Sequence, residues 1–339
     1  MERDLSLADK FIVSVIGSSH FNMEFDGAEA DICWESFLDS SIQHGVAPLL
    51  YFTIKSNPQF NVPEWVVEQL KDSFFASFVR QAAYHAELEQ LITYLRGKGI
   101  EIIVMKGPVL SRLFYPDPAL RYFVDIDLLF KEKDWGEIRS FLLKAGYIAT
   151  KDCEVLPPKL IAGEVHEHIL AFYNEDGLKV ELKLDPFDLG VGSRMIDEIW
   201  ERSTSCDFGS FTCRSLAPEH QLLHLLVHLN QHGFGKVKWF VDIAFILMNE
   251  RALDWELVIH DAKREGILAP IYFSLVHVCK LFNIKMNEEI LDQLRPGYIK
   301  RTMWRSIWPE KDITNFSGIQ YAALLFPKKV FSKWFIPNL

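Results

Sequence analysis

The sequence predicts an α+β protein: a small mixed β-sheet core flanked by N-terminal and C-terminal helical regions. Three observations carry that prediction. Long segments on both sides of the middle repeat apolar residues every three or four positions, which is the helical period. Between about 99 and 190, short β-branched runs alternate with short helical patterns instead. Finally, Asn174-Glu175-Asp176-Gly177 separates two apolar runs, and its Asp-Gly pair marks a tight hairpin. The chain accordingly reads as an N-terminal helical region 1–98, a core 99–190, a C-terminal helical region 191–294 and a tail 295–339.

Taken in order, the longest helical segment opens at Pro63 and closes at Gly97-Lys98-Gly99. Its apolar positions are Val66, Leu70, Phe74, Phe78, Leu88, Leu91 and Leu95. Residues 101–105 (EIIVM) read as a strand, Lys106-Gly107-Pro108 as a turn, and 108–115 as a helix, since proline suits the first helical turn. VDIDLLF (124–130) is the next strand, and 134–147 an amphipathic helix ending near Gly146. Residues 168–173 and 178–184 are the hairpin strands. This β-α-β-α-β-β order implies a small mixed sheet with helices against it. From about 192 the chain reads as helical again, interrupted by FTCRSL, with helices over 217–231, 237–249, 253–265 and 268–282.

The 339 residues are 49% hydrophobic and 24% charged, which leaves ample material for a core. Thirty-six basic against 46 acidic residues give a formal charge of −10. That balance argues against a chain-wide nucleic-acid surface and leaves room for a local basic site. Cys33, Cys153, Cys206, Cys213 and Cys279 are scattered, with no CxxC pair, and read as reduced thiols in the cytosol. The N-terminus lacks the apolar stretch of a signal peptide, and no run reaches the roughly 18 apolar residues of a membrane span. A cytoplasmic protein without an integral membrane span is the expectation.

The stretch that carries chemistry is RYFVDIDLLF (121–130). Side chains alternate along a strand, so Asp125 and Asp127 share one face while Ile126 points to the other. Two carboxylates about 6.6 Å apart at Cα repel one another unless a cation joins them. Hard oxygen ligands favour Mg²⁺, and two-metal sites suit convergent carboxylates. Glu181, in the middle of KVELK, becomes a third acid if its strand lies beside 124–130, as ligand or as general base. Upstream, Gly107 would allow close backbone approach to a phosphate and Lys106 adds a mobile cation.

These residues resemble the polymerase-beta-like nucleotidyltransferase superfamily, which carries a glycine turn, an Asp-hydrophobic-Asp/Glu strand and a third acid on a neighbouring strand. MKGPVLSRLFY, RYFVDIDLLF, KVELK, LLHLLVHLNQHG and KWFVDIAFIL are more closely similar to a poorly characterised bacterial family of nucleotidyltransferase-like proteins, over about residues 85 to 250. The matching positions are Lys106, Gly107, Tyr115, Arg121, Asp125, Asp127 and Glu181. The resemblance implies that 99–190 is a nucleotidyltransferase catalytic core moving an NMP from an NTP to an acceptor hydroxyl or phosphate, with pyrophosphate leaving. Asp125, Asp127 and Glu181 would be the catalytic and metal-binding residues, holding Mg²⁺ as two ions, with Mn²⁺ as a substitute. Lys106, Gly107, Arg121, Lys183 and Lys238 are the candidate nucleotide-binding residues, and Arg121 suits phosphate binding or bracing of the aspartates equally. The chain departs from the superfamily in having Gly107-Pro108 at the turn and Lys183-Leu184 where relatives show His-Trp.

The remaining candidates are weaker. His220, His224, His228 and His232 recur every four residues and read as core or cleft histidines, with His228 or His232 at a nucleotide cleft. His166 and His168 precede the hairpin and suit the active site or the surface. Asp242 reads as a brace between packed helices. The tail holds eight basic residues among nine aromatics, including Trp304, Trp308 and Trp334. It suits wrapping back over the protein or docking to an anionic partner. The expected partners are an NTP and an unidentified small-molecule, peptide or protein acceptor, in a biosynthetic or modification pathway, with nucleic acid the least suited acceptor. The alternative is a non-catalytic nucleotide-binding regulatory or scaffold protein of the same fold.

Overall fold

Helices dominate the described residues up to Gly97. In the computed structural model, which describes residues 6–25, 32–150, 170–187, 194–249, 253–298 and 300–302, α1 (Leu7–His20), α2 (Trp34–Gln43) and α3 (Ala47–Ser56) precede α4 (Glu64–Gly97). Along α4, Val66, Leu70, Tyr84, Leu88, Leu91 and Leu95 are buried, whereas Phe78 is exposed. Helical arithmetic explains the exception. Each step of four residues drifts about 40° around the axis, so Phe78 stands about 120° from Val66. Ser77, eleven residues on from Val66, comes back to within about 20° and is the buried residue instead, donating to Ala119 O at 3.1 Å.

The sheet follows: β1 (Ile103–Met105), α5 (Gly107–Leu113), β2 (Asp125–Leu129), α6 (Trp135–Lys144), β3 (Ile148–Ala149), β4 (Leu170–Tyr173), β5 (Lys179–Lys183), α7 (Ile196–Arg202), β6 (Thr204–Asp207) and β7 (Thr212–Ser215). The strand order is β3-β4-β5-β2-β1-β7-β6. β2 is parallel to β5 and antiparallel to β1, and β1 is parallel to β7, so the sheet is mixed. The fold is α+β. Between β4 and β5, the Asn174 N–H donates to Leu178 O (3.0 Å) and the Asn174 Oδ1 accepts from the Leu178 N–H (2.8 Å). Gly177 takes a φ of +74°, which only glycine adopts without strain.

Three strands stand where the sequence implies none: the two-residue β3, antiparallel to β4, and the β6–β7 hairpin. FTCRSL contains β7, and β6 pairs with it as a hairpin with Cys206 opposite Cys213. Neither strand has a long apolar alternation to announce it; β7 exists because β1 offers a parallel hydrogen-bonding edge to Arg214 and Ser215. Among the described residues, Cys33, Cys206, Cys213 and Cys279 are free thiols.

The helices α8 (Pro218–Gln231), α9 (Val237–Met248), α10 (Trp255–Arg264), α11 (Leu268–Leu281) and α12 (Glu288–Leu294) complete the described chain. The first four lie within a residue or two of the spans read from periodicity. The chain divides into two compact units, one of Met1–Ser77, Ala119–Tyr122 and Leu225–Leu339, the other of Phe78–Pro118 and Phe123–His224. The second holds the whole sheet. One sheet face, with Val104, Ile126, Leu128, Phe172, Val180 and Leu182, packs in a single apolar cluster with Leu88, Leu91 and Leu95 of α4 and Ile138 and Leu142 of α6. His166, His168, Cys153 and the tail from 303, with its three tryptophans, lie outside the described residues.

Candidate active site

The pleat sends alternate side chains of β2 and β5 to opposite faces. Ile126, Leu128, Val180 and Leu182 go into the apolar cluster, so Asp125, Asp127, Lys179, Glu181 and Lys183 take the other face. Val124, by contrast, lies outside the strand and is exposed. The parallel register sets Asp125 opposite Lys179 and Asp127 opposite Glu181, while Met105 flanks Asp127 on its other side. β1 ends there, and the next residue is Lys106. Its ammonium donates to Asp127 Oδ1 at 2.8 Å. Lys179 pairs with Glu181 Oε1, and Lys183 Nζ lies 3.9 Å from Glu181 Oε2. Six sequence-derived candidates are thus brought onto one sheet face and its edge turn: Asp125, Asp127, Glu181, Lys106, Gly107 and Lys183.

The turn has its own constraints. Lys106 adopts a φ of +50°, in the region that L-residues rarely occupy. Gly107 packs so closely on Phe123 that an added Cβ would stand 2.7 Å from its Cβ and Cγ. The glycine is therefore needed for packing in its own right. Gly107→Ala is expected to cost about 1–3 kcal/mol by overpacking, read as a lower urea midpoint at unchanged slope. α5 spans only seven residues, so the Lys106 side chain is the main cation this turn offers.

Burial and charge set the protonation of the cluster. Burial acts to raise the Asp127 carboxyl, but the charges of Lys106 and Lys183 outweigh it and hold its pKa below the usual value. Glu181 goes the other way. Burial, then the neighbouring Asp127 charge, lifts it above the ordinary carboxylate value against the pull of Lys179 and Lys183. Asp127 is 1% exposed, and its Oδ2 is a buried oxygen with no hydrogen-bond partner. A buried, anionic, unsatisfied oxygen is the donor that a hard divalent cation takes. Among the described residues, no three His, Cys, Asp or Glu side chains converge at metal-binding distances. Lysines pair with two of these acids, Asp127 and Glu181.

Three residues outside the sequence-derived set bear on the site. Tyr84, on α4, donates its hydroxyl to Val124 O and accepts from the Lys179 N–H at 3.3 Å, tying the start of β2 to the start of β5. Lys179 is the second. His224 is the third: it is buried beneath the charges of Lys106, Asp127 and Lys183, with its Nδ1 against Pro186 O. The next histidines go elsewhere: His228 on α8 and His232 just beyond it meet Trp239 with ring centroids 5.1 Å away, all three in the other unit. Arg121 and Lys238 also belong to that other unit. Arg121 forms a two-pronged ion pair with Asp242, Nε to Oδ1 at 2.9 Å and Nη2 to Oδ2 at 2.6 Å, and Lys238 lies 5.8 Å from the Tyr122 ring centroid.

Residues 30–283, well over half of the chain, match the sequence profile of a family described as uncharacterised nucleotidyltransferase. The chain belongs to that family. Nucleotidyl transfer is therefore the general activity to which it is assigned, with an NTP as substrate. The matched span includes every strand of the sheet and both units' described helices from α2 to α11. A search of curated proteins returned no match. No helix among the described residues is long and apolar enough to cross a membrane.

His224 gives this nucleotidyltransferase a specific pH response. Burial, reinforced by the Lys106 charge, pushes its imidazole from 6.5 down to about 3. An unfolded His224 takes a proton as the pH falls through 6.5, whereas the native one does not until about pH 3. Its contribution to stability is full above 6.5 and is lost progressively below it. Between pH 7.5 and 5, His224→Gln should therefore lose less melting temperature than wild type; an equal loss would remove His224 from the account.

Proposed function

We propose that the protein is a Mg²⁺-dependent nucleotidyltransferase of the polymerase-beta-like kind, acting in a biosynthetic or modification pathway. The observation that carries this reading is the register that sets Asp127 opposite Glu181, with the Asp127 Oδ2 buried and unsatisfied. Asp125, Asp127 and Glu181 would hold Mg²⁺, or Mn²⁺ in its place, and the ions would neutralise the triphosphate and polarise its phosphoryl oxygens. Around them, the chain's own residues position and compensate. Lys106, Lys179 and Lys183 offer ammonium groups to the phosphates, Gly107 lets the turn close on Phe123, and the apolar underside of β2 and β5 fixes the carboxylates. In the transfer, an oxygen of the acceptor attacks the α-phosphorus, the α–β phosphoanhydride bond breaks, and pyrophosphate departs. Such chemistry asks for positioning and charge neutralisation more than for covalent catalysis. Glu181 either completes the ligand set or takes the acceptor's proton. Glu181→Gln separates the two, because weaker metal binding marks a ligand and a lower rate at unchanged metal affinity marks a base.

The acceptor is a small molecule, peptide or protein bearing a hydroxyl or phosphate. The test is incubation with labelled NTPs, Mg²⁺ and an acceptor pool, following pyrophosphate and the mass gain of the acceptor. Equal labelling by wild type and Asp125→Asn/Asp127→Asn would sink the assignment. A second reading, a non-catalytic nucleotide-binding protein, is favoured by one observation: both Asp127 and Glu181 already have lysine partners. It predicts a metal- and nucleotide-dependent rise in melting temperature with no pyrophosphate.

A further inference from the structure

On the sheet face opposite the carboxylates, two thiols meet. Cys206 of β6 and Cys213 of β7 are directly opposed in the antiparallel hairpin, and both belong to the apolar cluster. The Phe208 N–H donates to Phe211 O at 2.9 Å, so hydrogen-bonded pairs fall at 208/211 and again at 206/213. Such a pair stands about 5.5 Å apart at Cα. A disulfide spans roughly 4.4–6.8 Å, so this backbone can carry one without rearrangement. Both thiols are free, at 0% and 5% exposure. They are not equivalent. Cys213 donates its S–H to the Cys206 sulfur, and that bond, helped by the charge of Arg112, holds the Cys206 thiol below its ordinary value against burial. The same bond, then burial, pushes the Cys213 thiol up.

We propose that Cys206 and Cys213 are a peroxide-oxidisable dithiol, Cys206 attacking and Cys213 resolving, whose cross-strand disulfide locks β6 onto the sheet. The Cys206 thiolate attacks one peroxide oxygen, the O–O bond breaks, and a sulfenic acid forms as water or an alcohol leaves. The Cys213 sulfur then attacks the Cys206 sulfur, and the hydroxyl departs with the Cys213 proton as water. Two electrons pass from the thiols to the peroxide. Access comes from the edge of the sheet. β6 ends the strand order beside β7, and its Thr204, Ser205 and Asp207 are exposed. β7 is held further in, by its pairing with β1 and by Arg96 Nη2 on Thr212 O at 2.6 Å. An edge strand of this kind opens without global unfolding. Once cross-linked, it is fixed to the strand that pairs with β1. Because the pair lies on the other face of the sheet, the assignment stands apart from the nucleotidyl-transfer reading.

Trypsin reads the state of the pair directly. Cleavage after Arg202 and Arg214 releases residues 203–214, a peptide that contains Cys206 and Cys213 and no other cysteine. Native full-length protein is treated with hydrogen peroxide, alkylated and digested. The peptide should emerge unalkylated and two hydrogens lighter, and dithiothreitol before alkylation should restore both alkylation sites. Amides of β6 and β7 should exchange with solvent at least about tenfold more slowly in oxidised than in reduced protein. In Cys213→Ser, Cys206 should accumulate as a sulfenic acid that dimedone captures; in Cys206→Ser, Cys213 should remain a thiol. The wild-type mass shift carries the test if neither variant folds. A peptide alkylated at both cysteines, under peroxide that oxidises the exposed Cys33, overturns the dithiol site. Dimedone capture at Cys213 rather than Cys206 overturns the division of roles, and unchanged exchange in a cross-linked hairpin overturns the lock.

Discussion

Asp127→Asn should abolish nucleotidyl transfer, lowering pyrophosphate release by at least about a thousandfold, with a folded protein remaining. The substitution is nearly isosteric, so the packing around β2 survives. What changes is charge. Asp127 sits between Met105 and Glu181 in the sheet, accepts from Lys106, and keeps its ionised form because Lys106 and Lys183 outweigh its burial. An amide there still accepts from Lys106 but carries no charge to oppose a metal or to balance the ammonium, which is left buried beside a neutral group. The stability cost should be roughly 1–3 kcal/mol, the price of one buried charge losing its partner. It should also be pH-dependent. The depressed Asp127 pKa gives the wild type stability that is present above the ordinary carboxylate range and is lost as the pH falls through the native value. The variant lacks that component, so the two melting temperatures converge in acid. Activity within tenfold of wild type would mean that the carboxylate does not serve the reaction.

The features legible in the sequence are those with local causes. Alternation in DIDLL is enough to place Asp125 and Asp127 on one face, and Asn174 to Gly177 is enough to join two strands, because both depend on neighbours in the chain. The same holds for the helices from α8 to α11. The parts that were not legible depend on partners far away in sequence. The sequence marks Lys183 only as a candidate nucleotide ligand and Lys179 not at all, and only the parallel register of β5 on β2 shows that Glu181 stands beside Asp127 between two lysines. Gly107 suggests room for a phosphate, yet the side chain it makes way for is Phe123, which no spacing rule would select. β7 is recruited by the edge of β1 rather than by its own composition. His224 differs from His220, His228 and His232 in the charges around it, and a period of four cannot show that. Each of these is a non-local contact, the class of interaction that a single sequence specifies physically without displaying.

Arg121→Met should destabilise the protein by about 3–5 kcal/mol, the expected loss when one member of a buried ion pair is removed. Arg121 and Asp242 are 5% and 0% exposed, and the guanidinium also donates to Tyr122 O at 2.7 Å. The variant takes the guanidinium away from the buried Asp242 carboxylate of α9. Arg121→Lys should recover only part of the loss, since an ammonium lacks the planar fork that meets both carboxylate oxygens. Arg121→Met combined with Asp242→Leu should recover most of it, because removing both charges removes the desolvation penalty along with the attraction. Urea midpoints at constant slope measure all three. The double variant also separates the two roles that the sequence leaves open for Arg121. Restored stability with unchanged affinity for the metal–triphosphate complex makes the residue a brace for its own unit. Restored stability with affinity lost makes it a phosphate ligand that Asp242 holds in place.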